Sequence, residues 1–114
     1  MSTRFETGLV VGKFAPLHLG HELVIGRALA ECGEVVLVSY CDPEPAACPA
    51  QVRERWLRLR FPGATLLVGD RRRWPDMPAD AAGDAAHHAF VARILGRPVD
   101  AVYTREASPY ASLV

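Results

Sequence analysis

Thr7-Gly8-Leu9-Val10-Val11-Gly12 runs directly into Lys13-Phe14-Ala15-Pro16-Leu17-His18-Leu19-Gly20-His21, and the reading of this junction decides the fold. The first six residues are a short apolar run without polar alternation, closed by a glycine. Such a run suits a strand covered on both faces, as in a parallel sheet. Three similar runs follow: Val35-Val36-Leu37-Val38-Ser39-Tyr40, Ala64-Thr65-Leu66-Leu67-Val68 and the weaker Val99-Asp100-Ala101-Val102-Tyr103. Helical periodicity fills the gaps. Leu19 to Glu31 carries Leu19, Leu23, Val24, Ala28 and Leu29 on a broad stripe, with Gly33 as the expected C-terminal cap. Pro49 opens a second helix with Val52, Trp56 and Leu59 inward and Arg53, Glu54, Arg55 and Arg58 toward solvent, until Pro62-Gly63 stops it. A third runs from Asp84 to Leu95 with Ala86, Phe90 and Ile94 in register, ending at Gly96 and Pro98. Strands alternating with helices demand crossover connections, hence a three-layer α/β/α domain on a short parallel sheet.

Composition narrows the function. The 114 residues suffice for one domain with its own core. Thirteen Lys and Arg balance thirteen Asp and Glu, which argues against nucleic-acid binding by bulk charge. Cys32, Cys41 and Cys48 are odd in number and lack Cys-x-x-Cys spacing, so neither a disulfide scaffold nor a thiol role is expected. No apolar stretch approaches a signal peptide or a membrane span, which points to a soluble, cytoplasmic setting.

The Gly12–His21 segment lies at the carboxyl end of the first strand, where open α/β sheets bind ligands. The start of a helix there offers backbone N–H groups and a positive dipole end to a phosphate. His18 and His21 are three residues apart and so share one helix face, and Gly20 clears the approach between them. Two imidazoles beside Lys13 can donate to phosphoryl oxygens that gain charge during transfer. A zinc site would need further ligands, and no Cys or His pair has matching spacing.

These residues, Gly-x-Phe-x-Pro-x-His-x-Gly-His after a first strand, resemble the signature of the HxGH nucleotidyltransferases. Gly12 to His18, Trp56-Leu57 with Phe61-Pro62, and Tyr103-Thr104-Arg105-Glu106 with Tyr110 are more particularly similar to the nicotinamide mononucleotide adenylyltransferase domain of NadR-type proteins. The resemblance implies a Rossmann-like fold and the transfer of AMP from ATP to nicotinamide mononucleotide, with Mg²⁺ on the phosphates and no covalent intermediate. It implies that His18 and His21 stabilise the transition state. Gly12, Lys13, Phe14, Gly20, Thr104 and Arg105 would then border the nucleotide and Ala15 the second substrate, for which Trp74, by its place in the long loop after the third strand, is a further candidate. Nothing in the sequence resembles the family's second phosphate signature, Ile-Ser-x-Thr-x-x-Arg. The expectation is therefore a single domain over residues 1–114 that lacks its last strand and helix, with a nascent helix at Ser108-Pro109.

Two alternatives stay open: a nucleotide-binding module that does not turn over and self-associates through a sheet edge or apolar face, and a related transferase with another phosphate acceptor. Gly69 to Gly83 reads as a long surface loop. One of Arg71, Arg72 and Arg73 could contact a phosphate, and Trp74 could stack on an adenine or nicotinamide ring. Trp56 is expected in the core. Of His87 and His88, one is expected in solvent and the other at a rim.

Overall fold

A computed structural model describes residues 3–104 and Leu113. Four strands, β1 (Phe5–Gly12), β2 (Cys32–Ser39), β3 (Thr65–Val68) and β4 (Ala101–Tyr103), form an all-parallel sheet in the order β3-β2-β1-β4. Helices α1 (Leu19–Glu31), α2 (Ala50–Arg60) and α3 (Asp84–Leu95) make the crossovers. The chain steps outward from β1 to β2 to β3, then returns past β1 to β4. This reversal puts a topological switch point between β1 and β4, with α1 and α2 on one face and α3 on the other.

The strands show why their sequences do not alternate. Val10, Val35, Leu37 and Val68 pack with Ile25, Ala28, Leu57 and Phe61 on the α1–α2 face. Leu9, Val36 and Val38 pack with Trp74, Phe90 and Val91 on the α3 face. Successive residues point to opposite faces, and both faces are buried. Burying each such side chain stabilises the fold by about 1.5–3 kcal/mol, the α1–α2 and α3 layers sharing that gain.

Element positions match the sequence closely, but three local expectations fail. On α1 the buried residues are Ile25 and Ala28, whereas Leu19 and Leu23 are 69% and 67% exposed. The inward face is the His21–Val24–Ile25–Ala28 set at i, i+3, i+4 and i+7, so the leucine stripe is rotated out. Gly33 is no helix cap. Helix α1 passes straight into β2 at Cys32, whose extended backbone (φ −120°) ends the helix, and Gly33 lies inside the strand. On α2 the buried pair is Arg53 and Leu57; Trp56 is half-buried and Leu59 is 74% exposed. A hydrophobic pattern cannot anticipate an arginine on the inward face. Gly96 does close α3, in the left-handed conformation (φ 69°) of a glycine C-cap.

The segment from Gly69 to Gly83 carries neither strand nor helix, but it is not merely surface. Trp74 and Met77 are buried in the α3-side core. Arg73 donates to the Val68 carbonyl (2.9 Å) and lies over the Trp74 ring, while Arg71 donates to the Met77 carbonyl (2.7 Å) and pairs with Asp42 (2.7 Å). No helix among the described residues is long and apolar enough to cross a membrane.

Candidate functional site

The β1–α1 junction is built around a buried phenylalanine. Phe14 is 1% exposed and adopts φ 52°, a left-handed conformation that is uncommon outside glycine. That backbone turns its ring back under the end of β1. A Cβ on Gly12 would lie 2.9 Å from the Phe14 ring, so glycine is required there by close approach. The Phe14 ring meets His21 edge-on, with centroids 4.9 Å apart at 87°.

Both histidines are fixed by the first turn of α1. His18 is the N-cap residue, and its Nδ1 accepts from the Gly20 backbone N–H at 3.1 Å. His21, three residues on, accepts at Nδ1 from the His18 backbone N–H at 3.3 Å. This reciprocal arrangement is a capping box in which two imidazoles take the roles more often played by Ser or Thr and Glu or Gln. The rings stack with centroids 3.7 Å apart and 23° between planes. Because each Nδ1 is the acceptor, each neutral ring carries its proton on Nε2. The junction therefore holds two oriented N–H donors at the positive end of a thirteen-residue helix.

A crevice of about 170 Å³ opens at the switch point, lined by Gly12, Phe14, His21, Val24, Tyr103 and Thr104 among others. Tyr103 donates to Glu31 at 2.6 Å; burial first, then this acidic partner, pushes its phenol far above the ordinary tyrosine range. On the α3 side of the same strand end lies a second crevice of about 120 Å³, lined by Val11, Gly12, Lys13, Tyr40, Asp80 and His87. Here Lys13 pairs with Asp80 at 2.9 Å, and the Tyr40 hydroxyl bonds to His87 Nδ1 at 2.7 Å. Burial alone would raise the Asp80 carboxyl. The Asp42 backbone N–H and the Lys13 ammonium outweigh it and hold the group below the usual aspartate range.

Gly12, Lys13, Phe14, His21 and Thr104 thus converge on the end of β1, with His18 and Gly20 in the adjoining turn and half-buried Ala15 leading into it. Arg105 lies outside the described residues, as does the helix start expected at Ser108-Pro109. Trp74 is the correction: it is 7% exposed and packs edge-on against Phe90 at 5.5 Å in the core, so its ring is not offered to a ligand. A tryptophan in a proline-rich loop looks like a stacking platform in sequence, but here the loop folds over the sheet and buries it. Sequence reasoning passed over Tyr40 and Asp80 and expected His87 or His88 only at a rim. Tyr40 had a usable signal, since it follows the carboxyl end of β2.

No protein-family model matches the chain, and no curated protein does either. Among solved structures, the crystal structure of NadR protein in complex with NAD and AMP-PNP is similar over 81% of this chain, with a TM-score of 0.56 and 25% sequence identity. This chain spans 26% of the length of that one. That likeness supports a Rossmann-like fold of the nucleotide-binding kind.

Proposed function

We propose that this domain transfers AMP from ATP to nicotinamide mononucleotide, giving NAD and pyrophosphate. The observation that carries the reading is the stacked His18–His21 pair, whose Nε2–H groups are oriented by the α1 cap beside the switch-point crevice. In this reaction a phosphate oxygen of the mononucleotide attacks the α-phosphorus of ATP. The bond from that phosphorus to the α,β-bridging oxygen breaks, and pyrophosphate leaves. Negative charge builds on the equatorial oxygens and the leaving group, where preorganised N–H donors and a helix N-terminus are most effective. The similar NadR structure, which holds NAD and AMP-PNP, supports nucleotides as the ligands, in keeping with the resemblance of Gly12–His21 to the HxGH signature.

In this reading Gly12, Lys13 and Phe14 border the phosphates, with Gly20 beside the two histidines. Thr104, just past the end of β4, is assigned to the nucleotide, as is Arg105, and Ala15 to the acceptor. Trp74 is given no part. Among the described residues no three His, Cys, Asp or Glu side chains converge as a metal cage, so Mg²⁺ is assigned to the triphosphate itself, where it neutralises phosphate charge. The setting proposed is the cytoplasm.

A second reading, a module that holds the triphosphate without turning it over, is favoured by the sequence, in which nothing resembles the family's second phosphate signature. Its expected self-association has a surface in the groove of about 380 Å³ that includes Pro16, Leu17, Trp56 and Leu59. A related transferase with another phosphate acceptor is told apart by the acceptor offered. The test is calorimetric titration of ATP·Mg²⁺ with and without nicotinamide mononucleotide, with the same samples assayed for NAD. Saturable binding with NAD formation is expected. Normal ATP binding with no NAD would replace the transferase by the binding module.

A further inference from the structure

Arg53 is wholly buried, and its guanidinium reaches the end of β2 and the segments after β2 and β3. Its Nε donates to Ser39 Oγ at 3.0 Å, at the last residue of β2. One terminal nitrogen donates to Glu44 and to the Cys48 carbonyl, both at 2.8 Å, in the segment after β2. The other donates to the Gly69 carbonyl at 3.1 Å, just beyond β3. Since Ser39 Oγ accepts from Arg53, its own proton is directed to the Lys13 carbonyl at 2.7 Å, just beyond β1. Every acceptor in this network lies on the carboxyl edge of the sheet. Burying a charge is costly, and an apolar side chain would fill the space at less expense. What an apolar residue could not do is hold two loops and the Ser39 hydroxyl to one rigid planar fork, with Ser39 passing the tie on to a third loop at Lys13.

We propose that Arg53 is a positioning residue for the two histidines, acting through Ser39 and the Lys13 carbonyl on Phe14; the proposal rests on the adenylyl-transfer reading of the site. The path is continuous. The Lys13 carbonyl belongs to the peptide that sets φ of Phe14, the one described non-glycine residue with positive φ. Phe14 in turn abuts His21 at 4.9 Å, and His21 stacks on His18 at 3.7 Å. Releasing the Lys13 carbonyl frees the Phe14 backbone to leave its left-handed conformation, and the ring that buttresses His21 moves with it.

The test uses the full chain carrying Ser39→Ala, which removes only the relay oxygen, and Arg53→Lys, which keeps the charge but not the fork. Three quantities are read: NAD formation at saturating substrates, ATP·Mg²⁺ affinity by calorimetry, and the ring-proton and long-range nitrogen NMR signals of His18 and His21. Ser39→Ala is expected to stay folded by circular dichroism, to change ATP affinity less than about threefold and to lower kcat roughly 10- to 100-fold, the scale of a misplaced catalytic group. Its His21 ring signals should shift as the Phe14 ring current moves away. If Arg53→Lys does not fold, Ser39→Ala decides alone. A folded Ser39→Ala protein with wild-type kcat overturns the proposal. If the wild-type protein forms no NAD, the transferase reading falls, and the spectra then decide positioning alone: shifted histidine signals keep it, and unchanged ones overturn it.

Discussion

The β1–α1 and β2–α2 junctions do related work by opposite means. At β1–α1 the candidate groups are conspicuous: two histidines and a glycine, partly open to solvent, in tight spacing with a buried phenylalanine. At β2–α2 the decisive residue is one arginine, buried among Ser39, Glu44, Cys48 and Gly69, in a helix whose other arginines 55, 58 and 60 are exposed. In the proposed mechanism one junction presents donors to a ligand, and the other fixes the backbone from which they project. Groups that meet a ligand reveal themselves by type and spacing, whereas groups that support them need only the right address in three dimensions.

The largest effect should come from breaking the hidden junction. Arg53→Ala leaves the Ser39 hydroxyl and the Cys48 and Gly69 carbonyls without their donor and opens a cavity. We expect a loss of about 3–5 kcal/mol, the scale of breaking a buried charge network by removing one partner. At about 4–8 °C per kcal/mol for a domain near this size, thermal unfolding should fall by more than 10 °C. Arg55→Ala, on the exposed side of the same helix, should change stability by less than about 0.5 kcal/mol. Equal effects of the two substitutions would erase the contrast.

The conspicuous junction should break the other way, in chemistry without stability. Alanine at His18 would remove an N-cap, so it confounds the two. His18→Asn with His21→Gln keeps an N-cap acceptor and a capping-box partner while deleting both imidazoles. Stability should stay within about 1 kcal/mol of wild type by thermal melt. NAD formation should fall at least 10²- to 10³-fold, the loss expected for one preorganised transition-state donor. A double variant that still turns over would remove the histidines from the mechanism.

Between these extremes lie two glycines. Gly12→Ala drives a Cβ to 2.9 Å from the buried Phe14 ring and should cost about 1–3 kcal/mol by overpacking. Gly26→Ala, in the middle of α1 with nothing within 4 Å of the added carbon, should instead stabilise by about 0.5–1 kcal/mol through helix propensity. Chemical denaturation of both variants reads the opposite signs directly.

How much of this was legible follows from the same physics. The four β runs and three helices were readable because two buried faces make strands continuously apolar, and Gly96 and Pro62-Gly63 end helices by backbone geometry. The Gly12–His21 segment was readable as the link from β1 into α1, because a glycine closes the first apolar run and helical periodicity begins at Leu19. Which face of α1 turns inward was not. Leu19 and Leu23 carry the stronger hydrophobic signal, yet the sheet takes Ile25 and Ala28, whose register also places His21 inward beside Phe14. Trp74 was misjudged because its burial depends on where a fifteen-residue segment crosses the sheet, which no local pattern encodes. Arg53 was beyond reach for the same reason, as its partners lie 5 to 16 residues away, at the end of β2 and in the loops after β2 and β3.

The smallest effect tests the ion pair that joins the wall of the smaller crevice to the Gly69–Gly83 segment. Lys13 holds Asp80 at 2.9 Å, and Asp80 also accepts from the Asp42 backbone N–H at 2.9 Å. Its carboxyl sits below the usual aspartate range in the folded chain, so the folded state favours the ionised form. The sign follows by linkage: the stabilisation is fully present above the unfolded aspartate value and is lost as pH falls through the lower folded value. Asp80→Asn should therefore lower thermal stability at pH 7 by no more than about 1 kcal/mol, since Lys13 is largely solvated. The gap between variant and wild type should close as pH drops below about 4, where the ordinary carboxylate begins to protonate. A gap that stayed constant down to pH 2 would mean that the Asp80 side chain acts through packing and its backbone bond alone. In that case the Lys13 ammonium would be as available to a phosphate before the carboxylate is neutralised as after.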